Sequence, residues 1–120
     1  MKRILIVDDS RVSRKMLRNL LELSGYEVVA EAVNGKEGLE LFEKMNPDIV
    51  LMDITMPEIN GIESLRAIKK QRESAKVIII SGTGHNQRKI EAINAGAEIY
   101  ITKPYDDNEI LEALQNCQGS

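Results

Sequence analysis

Residues 48–53 read Asp48-Ile49-Val50-Leu51-Met52-Asp53, four consecutive apolar side chains closed at each end by an acid. A run this short and this uniformly apolar predicts a strand covered on both faces, the pattern of a central strand in a parallel sheet. Three further runs end on a reactive residue. Ile4-Leu5-Ile6-Val7 leads into Asp8-Asp9, Val77-Ile78-Ile79-Ile80 stops at Ser81, and Ile99-Tyr100-Ile101-Thr102 stops at Lys103-Pro104. In an open parallel α/β sheet the functional crevice lies outside the carboxyl ends of the strands. These endings therefore gather three carboxylates, one hydroxyl and one ammonium in a small space. That inventory suits a divalent cation and a phosphoryl group.

Working outward, short apolar runs alternate with longer helical patterns five times, the signature of repeated strand–helix units. The predicted strands are residues 3–8, 27–32, 48–53, 76–81 and 98–102. The predicted helices are 10–24, 35–45, 61–71, 86–95 and 107–117. Asn34 with Glu37, Asn60 with Glu63 and Asp106 with Glu109 each set a capping residue three before a glutamate. Gly25, Gly96 and Asn46-Pro47 stand where helices should stop. The second strand is mixed and the fifth alternates, so both belong at edges. The prediction is α/β: a single doubly wound five-stranded parallel sheet, helices on both faces, order 2-1-3-4-5, the flavodoxin-like winding. Residues 1–120 form one domain with no linker or internal repeat, and Gln118-Gly119-Ser120 reads as a frayed tail.

The composition is that of a water-soluble globular chain: 120 residues, 42% apolar and 29% charged. Its apolar runs are far shorter than the ~20 residues of a membrane span, and no signal peptide opens it, so membrane insertion is not expected. One cysteine, Cys117, excludes an internal disulfide, fits a reducing cytoplasm and reads as a small buried or half-buried apolar residue. A net charge of −3 and the lack of a concentrated basic face argue against direct nucleic-acid binding. Arg11, Arg14, Lys15 and Arg18 read as a solvated helix face opposite Val12, Met16, Leu17, Leu20 and Leu21. Met16, Met45 and Phe42 fall at core spacing and read as packing.

Three carboxylates in one crevice repel unless cations or protons neutralise them. A hard divalent ion with oxygen ligands, Mg²⁺ above all, resolves this; soft metals lack ligands, since the chain has one His and one Cys. Asp53, on the central strand, is the natural nucleophile toward phosphorus. Lys103 supplies the positioned cation and Ser81 a hydrogen bond to a second phosphoryl oxygen. A cis Lys103–Pro104 bond would aim the lysine inward. Ser81-Gly82-Thr83-Gly84 lacks the spacing and lysine of a nucleotide-binding loop.

Leu5-Ile6-Val7-Asp8-Asp9-Ser10, Asp48 through Pro57 with Gly61, Ile80-Ser81-Gly82, and Ala95-Gly96-Ala97 leading to Lys103-Pro104 together resemble response-regulator receiver domains of two-component signalling. The resemblance covers essentially the whole chain, and it carries the same strand winding. It implies that Asp53 accepts a phosphoryl group from a phosphohistidine on a sensor histidine kinase or phosphotransfer protein. It implies Mg²⁺ held directly by Asp9, through water by Asp8, and by Asp53 and the backbone carbonyl of Thr55. Lys103 would pair with the phosphoryl oxygens, while Ser81 and Tyr100 form the pair that moves on activation. The face built by the fourth helix, fifth strand and fifth helix would then bind a downstream effector protein. Apart from self-phosphorylation and autodephosphorylation, no enzymatic activity is implied.

Some positions depart from the family. Gly82 stands where alanine is usual, Tyr105 replaces a commoner phenylalanine, and Thr55 and Thr83 occupy positions that vary with dephosphorylation. With no output domain visible, the chain resembles a stand-alone cytoplasmic receiver of the chemotaxis kind, and Met1 close to the first strand favours a natural start. A receiver cut from a longer transcriptional regulator would read the same. An aspartate-nucleophile phosphohydrolase would carry a second Asp where Thr55 stands, and a cap for which there is no room. A flavodoxin-like cofactor binder would have to place phosphate against Asp8-Asp9, and a docking module that is never phosphorylated would not need the full reactive set.

Overall fold

A computed structural model describes residues 2–54, 60–82 and 86–118. The elements in chain order are β1 (Arg3–Val7), α1 (Arg11–Leu23), β2 (Glu27–Ala32), α2 (Gly35–Met45), β3 (Ile49–Asp53), α3 (Asn60–Gln71), β4 (Lys76–Ser81), α4 (Asn86–Asn94), β5 (Ile99–Thr102) and α5 (Asp107–Gln118). The five strands form one parallel sheet in the order β2-β1-β3-β4-β5. Fold class and winding are as the sequence predicts, and every element boundary lies within one residue of its predicted place.

Burial explains the order. None of the apolar side chains of β1, β3 and β4 is more than 1% exposed, so these strands occupy the centre of the sheet. β2 and β5 mix buried with partly exposed positions and close the two edges. Alternation splits the central strands between two cores. Ile4, Ile6, Ile49, Leu51, Ile78 and Ile80 meet Leu17 and Leu21 of α1 and Ile110 and Leu114 of α5. Leu5, Val7, Val50, Met52, Val77 and Ile79 meet Phe42 of α2, Leu65 and Ile68 of α3, and Ala92 of α4. Cys117 is buried in the first of these cores, as predicted.

The predicted stops and starts have their physical causes in place. Ser10 caps α1 by accepting from the Ser13 N–H at 3.2 Å, and Asn34 caps α2 by accepting from the Glu37 N–H at 2.8 Å. Asp106 and Glu109 bond each other's backbone N–H reciprocally at the start of α5. The predicted cap at Asn60 rests on a side chain outside the described residues. α2 ends at Asn46 in the left-handed conformation (φ 50°), directly before Pro47. Gly61 meets a different demand: a Cβ there would lie 2.4 Å from Ile54 Cγ2, so only glycine lets α3 approach the residue that follows Asp53.

The orientation of α1 corrects the sequence reading. Leu17 and Leu21 are buried, but Val12 and Met16 are 69% and 66% exposed. Arg14 and Arg18 lie instead toward the sheet edge, both bonded to Glu31 of β2. At about 100° per residue, positions 14, 17, 18 and 21 share one stripe, and 12, 16 and 23 stand opposite. The arginine stems extend the buried face and their guanidinium groups find an acid on β2. Met16 is therefore not core, Met45 is half-buried, and Phe42 is buried as predicted.

Candidate functional site

β3 delivers Asp53 as its last residue, while Asp8 follows β1 directly, Ser81 ends β4, and Lys103 follows β5. Parallel register aligns these endings, with Val7 beside Met52, Asp53 beside Ile80 and Ser81 beside Thr102. Asp8, though just past the strand, keeps a ladder bond from its N–H to the Ala32 carbonyl at 2.9 Å. Asp8, Asp53 and Ser81 are all buried. Three polar side chains buried at the carboxyl ends of the central strands of an otherwise apolar sheet mark a site rather than a packing solution.

Lys103 Nζ lies 2.5 Å from Asp53 Oδ2, and the Asp53 side chain is only 3% exposed. The Lys103 N–H donates to the Ser81 carbonyl at 2.8 Å, and the Lys103–Pro104 peptide is cis. Burial pushes the Lys103 ammonium toward its neutral form, but its hydrogen bond to Asp53 and the charges of Asp53 and Asp8 outweigh this and raise its pKa. Asp8 accepts from the Ser10 N–H at 2.8 Å. Its carboxyl is pushed up to about 6 by burial; the Ser10 hydrogen bond opposes this, the charge of Asp53 adds to it, Lys103 opposes, and Asp9 adds again. Asp8, Asp9, Asp53 and Lys103 thus act on one another electrostatically. Asp9 itself faces solvent.

Three carboxylates against one ammonium leave the crevice short of positive charge, which adds to the burial that chiefly raises the Asp8 carboxyl. The donor set is hard oxygen throughout. Among the described residues no three His, Cys, Asp or Glu side chains form a ready-made metal cage. Mg²⁺ does not require one, because it keeps several waters and uses one or two carboxylates. Asp8, Asp9 and Asp53 fit such an ion. Thr55, whose carbonyl was expected in the metal shell, lies outside the described residues, as do Pro57 and Thr83.

Tyr100 is half-buried and packs on the core shared with α2, α3 and α4. Gly82 is exposed beside the site, and Tyr105 is half-buried on the opposite core. Sequence reasoning missed two groups. Arg14 Nη1 donates to the Asp8 carbonyl at 2.7 Å, and Arg88 Nη1 from α4 donates to the Ile54 carbonyl at 2.8 Å. The spacing 14-17-18-21 would have placed Arg14 beside buried leucines; nothing in the chain signals Arg88.

Residues 4–115 match the response regulator receiver domain family. The chain belongs to that family. Among known proteins similar to this receiver, the chemotaxis protein CheY of Thermotoga maritima is 48% identical over 113 residues, spanning 94% of each chain. CheY of Bacillus subtilis is 46% identical over 112 residues, spanning 93% of each. Of solved structures, a CheY-like receiver domain protein from Methanospirillum hungatei superposes with a TM-score of 0.90 at 34% identity, covering 97% of this chain and 92% of that one. CheY in a CheX–CheY–BeF3–Mg²⁺ complex from Borrelia burgdorferi gives 0.89 at 33% identity, covering 96% and 87%. The receiver is therefore a homologue of CheY and a signalling module rather than a phosphohydrolase or a flavodoxin-like cofactor binder.

Proposed function

We propose that Asp53 is the phosphoryl acceptor of this receiver, that Mg²⁺ assists the transfer, and that residues 1–120 act as one switch unit. The observation that carries this reading is the buried Asp53 carboxylate held by Lys103 at 2.5 Å beside an Asp8 whose carboxyl is elevated. An Asp53 oxygen attacks the phosphorus of a phosphohistidine as the N–P bond breaks, and the leaving imidazole takes up a proton. The product is an acyl phosphate, and its charge rises to about −2. Lys103 swings from the carboxylate to the phosphoryl oxygens, and Ser81 donates to another. Asp8, Asp9 and Asp53 would hold Mg²⁺, with the Thr55 carbonyl as the family resemblance implies, and the ion would supply positive charge against the phosphoryl oxygens.

The state in which Ser81 and Lys103 both reach the phosphoryl group gains binding energy that the unmodified state lacks. A coupling of about 1–3 kcal/mol would shift its population five- to 150-fold. Tyr100 on the β5 edge follows Ser81, so the face of α4, β5 and α5 reads out the change. Ile90 and Ile93 of α4 are 57% and 44% exposed, which supports an apolar docking surface for an effector protein there. The donor is a sensor histidine kinase or phosphotransfer protein, the pathway is of the chemotaxis kind, and the compartment is the cytoplasm. Among the described residues no helix is long and apolar enough to cross a membrane. A second reading, a receiver within a longer transcriptional regulator, has support from one relative: the chain spans 52% of the nitrate/nitrite response regulator NarL of Escherichia coli, at 33% identity.

Incubation with Mg²⁺ and acetyl phosphate, followed by intact-mass measurement, should show one added phosphoryl group that is absent in Asp53→Asn and after chelation. Equal labelling of Asp53→Asn would place the acceptor elsewhere.

A further inference from the structure

We infer that Arg14, held by Glu31, is a positioning residue for the acidic pair: it fixes the Asp8–Asp9 peptide and thereby sets the affinity of the site for Mg²⁺. The inference rests on the Mg²⁺ site described above and adds a group outside it. Arg14 reaches out of α1 with its side chain only 14% exposed. Its Nη1 donates to the Asp8 carbonyl at 2.7 Å while its Nε donates to Glu31 Oε1 at 3.2 Å. The second Glu31 oxygen accepts from Arg18 Nη1 at 2.6 Å, and Arg18 Nη2 donates to the Val28 carbonyl at 3.1 Å.

Asp8 is consequently held at three points. Its N–H bonds to Ala32, its carboxylate accepts from Ser10, and its carbonyl accepts from Arg14. The carbonyl belongs to the peptide that joins Asp8 to Asp9. Fixing that plane restricts the backbone on both sides of it, and so the direction in which both carboxylates leave the chain. Two adjacent carboxylates repel, and without an anchor the peptide would rotate to separate them. A guanidinium suits the task because its planar fork serves a carbonyl and a carboxylate at once; an ammonium on a flexible stem offers no such fixed geometry. Partners that orient metal ligands in this way change metal affinity by about 10–100-fold when removed.

Arg18 provides the matched control. It bonds the other oxygen of the same glutamate, from the same helix, and pairs with Glu22 as well, yet its hydrogen bonds go to Glu31 and Val28 and not to Asp8. Removing Arg18 should cost stability as removing Arg14 does, without releasing the acidic pair.

The experiment is Mg²⁺ titration of the full chain, with no phosphoryl donor, followed by amide NMR shifts, alongside thermal unfolding of the metal-free protein. Arg14→Ala should weaken Mg²⁺ binding at least about tenfold. Arg14→Lys should fall between it and wild type, Glu31→Gln should weaken binding by less than Arg14→Ala, and Arg18→Ala should stay within twofold of wild type. Arg14→Lys keeps the test open if Arg14→Ala fails to fold. Equal losses in Arg14→Ala and Arg18→Ala, or unchanged binding in Arg14→Ala and Arg14→Lys, would overturn the inference. If wild type itself fails to bind Mg²⁺, it is the underlying reading of the site that fails.

Discussion

Asp8 shows how a single side chain records the state of its whole surroundings. Its folded pKa of about 6 lies above the ordinary 3.8, chiefly through burial and with help from the Asp53 charge. A folded value above the unfolded one means that the native state favours the protonated carboxyl. The stability this contributes is complete below about 3.8 and is lost as pH rises through about 6. Mg²⁺ needs the ionised form and competes with that proton. Below pH 6 its apparent affinity should therefore fall by up to about tenfold per pH unit. Thermal unfolding at pH 5 and pH 7.5 should show a much larger Mg²⁺-induced rise in Tm at pH 7.5; an equal rise at both would mean Asp8 lies outside the ion's reach. Lys103 is the complementary case. Lys103→Ala removes the ammonium from a buried carboxylate, so the metal-free protein should lose about 1–3 kcal/mol in urea unfolding. The same change should tighten Mg²⁺ binding, because one competing cation has gone from the site.

Elements decide what residues alone do not, and α1 is the clearest instance. Its apolar residues occur on two opposite sides, so its hydrophobic content does not identify the buried stripe. Leu17 is 3% exposed and Met16, its neighbour in sequence, 66%. Leu17→Ala should cost about 2–5 kcal/mol in denaturant unfolding, as for a buried leucine, whereas Met16→Ala should change stability by less than about 0.5 kcal/mol. A large loss in Met16→Ala would restore the predicted orientation. The same rotation of α1 carries Arg14 onto the Asp8 carbonyl. At the other side of the sheet, Gly61 shows an element acting on the site through contact. The space left by its missing side chain lets α3 pack directly on Ile54, the residue after Asp53.

For the molecule as a whole, the sheet order sets a gradient of rigidity. β1, β3 and β4 are covered on both faces and flanked on both edges, while β2 and β5 each have one open edge. Native-state hydrogen exchange should follow that gradient, slowest in Ile4–Val7, Val50–Met52 and Val77–Ile80, faster in β2 and β5. Asp53 and the acidic pair thus stand at the ends of central strands. Ser81 sits where that centre meets the edge strand that carries Tyr100. A fixed centre beside a softer edge is what the proposed switch requires, since modification of Asp53 would then shift the α4–β5–α5 side without melting the core. Uniform protection across all five strands would argue against it.

The sequence by itself determined most of this. The apolar runs fixed which strands are central, the polar residues that end them located Asp8, Asp53, Ser81 and Lys103 at the carboxyl end of the sheet, and cap residues such as Asn34 and Asp106 marked the helix starts. These are local properties, because side-chain period and backbone hydrogen bonding act over a few residues. Three things became visible only in three dimensions. The face α1 buries depends on Glu31, twenty residues from Arg11 in the chain, which offers its two oxygens to Arg14 and Arg18. The contacts of Arg14 with Asp8 and of Arg88 with Ile54 join separate elements. The elevated Asp8 carboxyl arises from burial together with charges brought in by other strands. Each is a through-space effect between groups distant along the chain, and a pattern read along one strand or helix can place a side chain on a face, as the spacing 14-17-18-21 does for Arg14, but does not name its partner on another element.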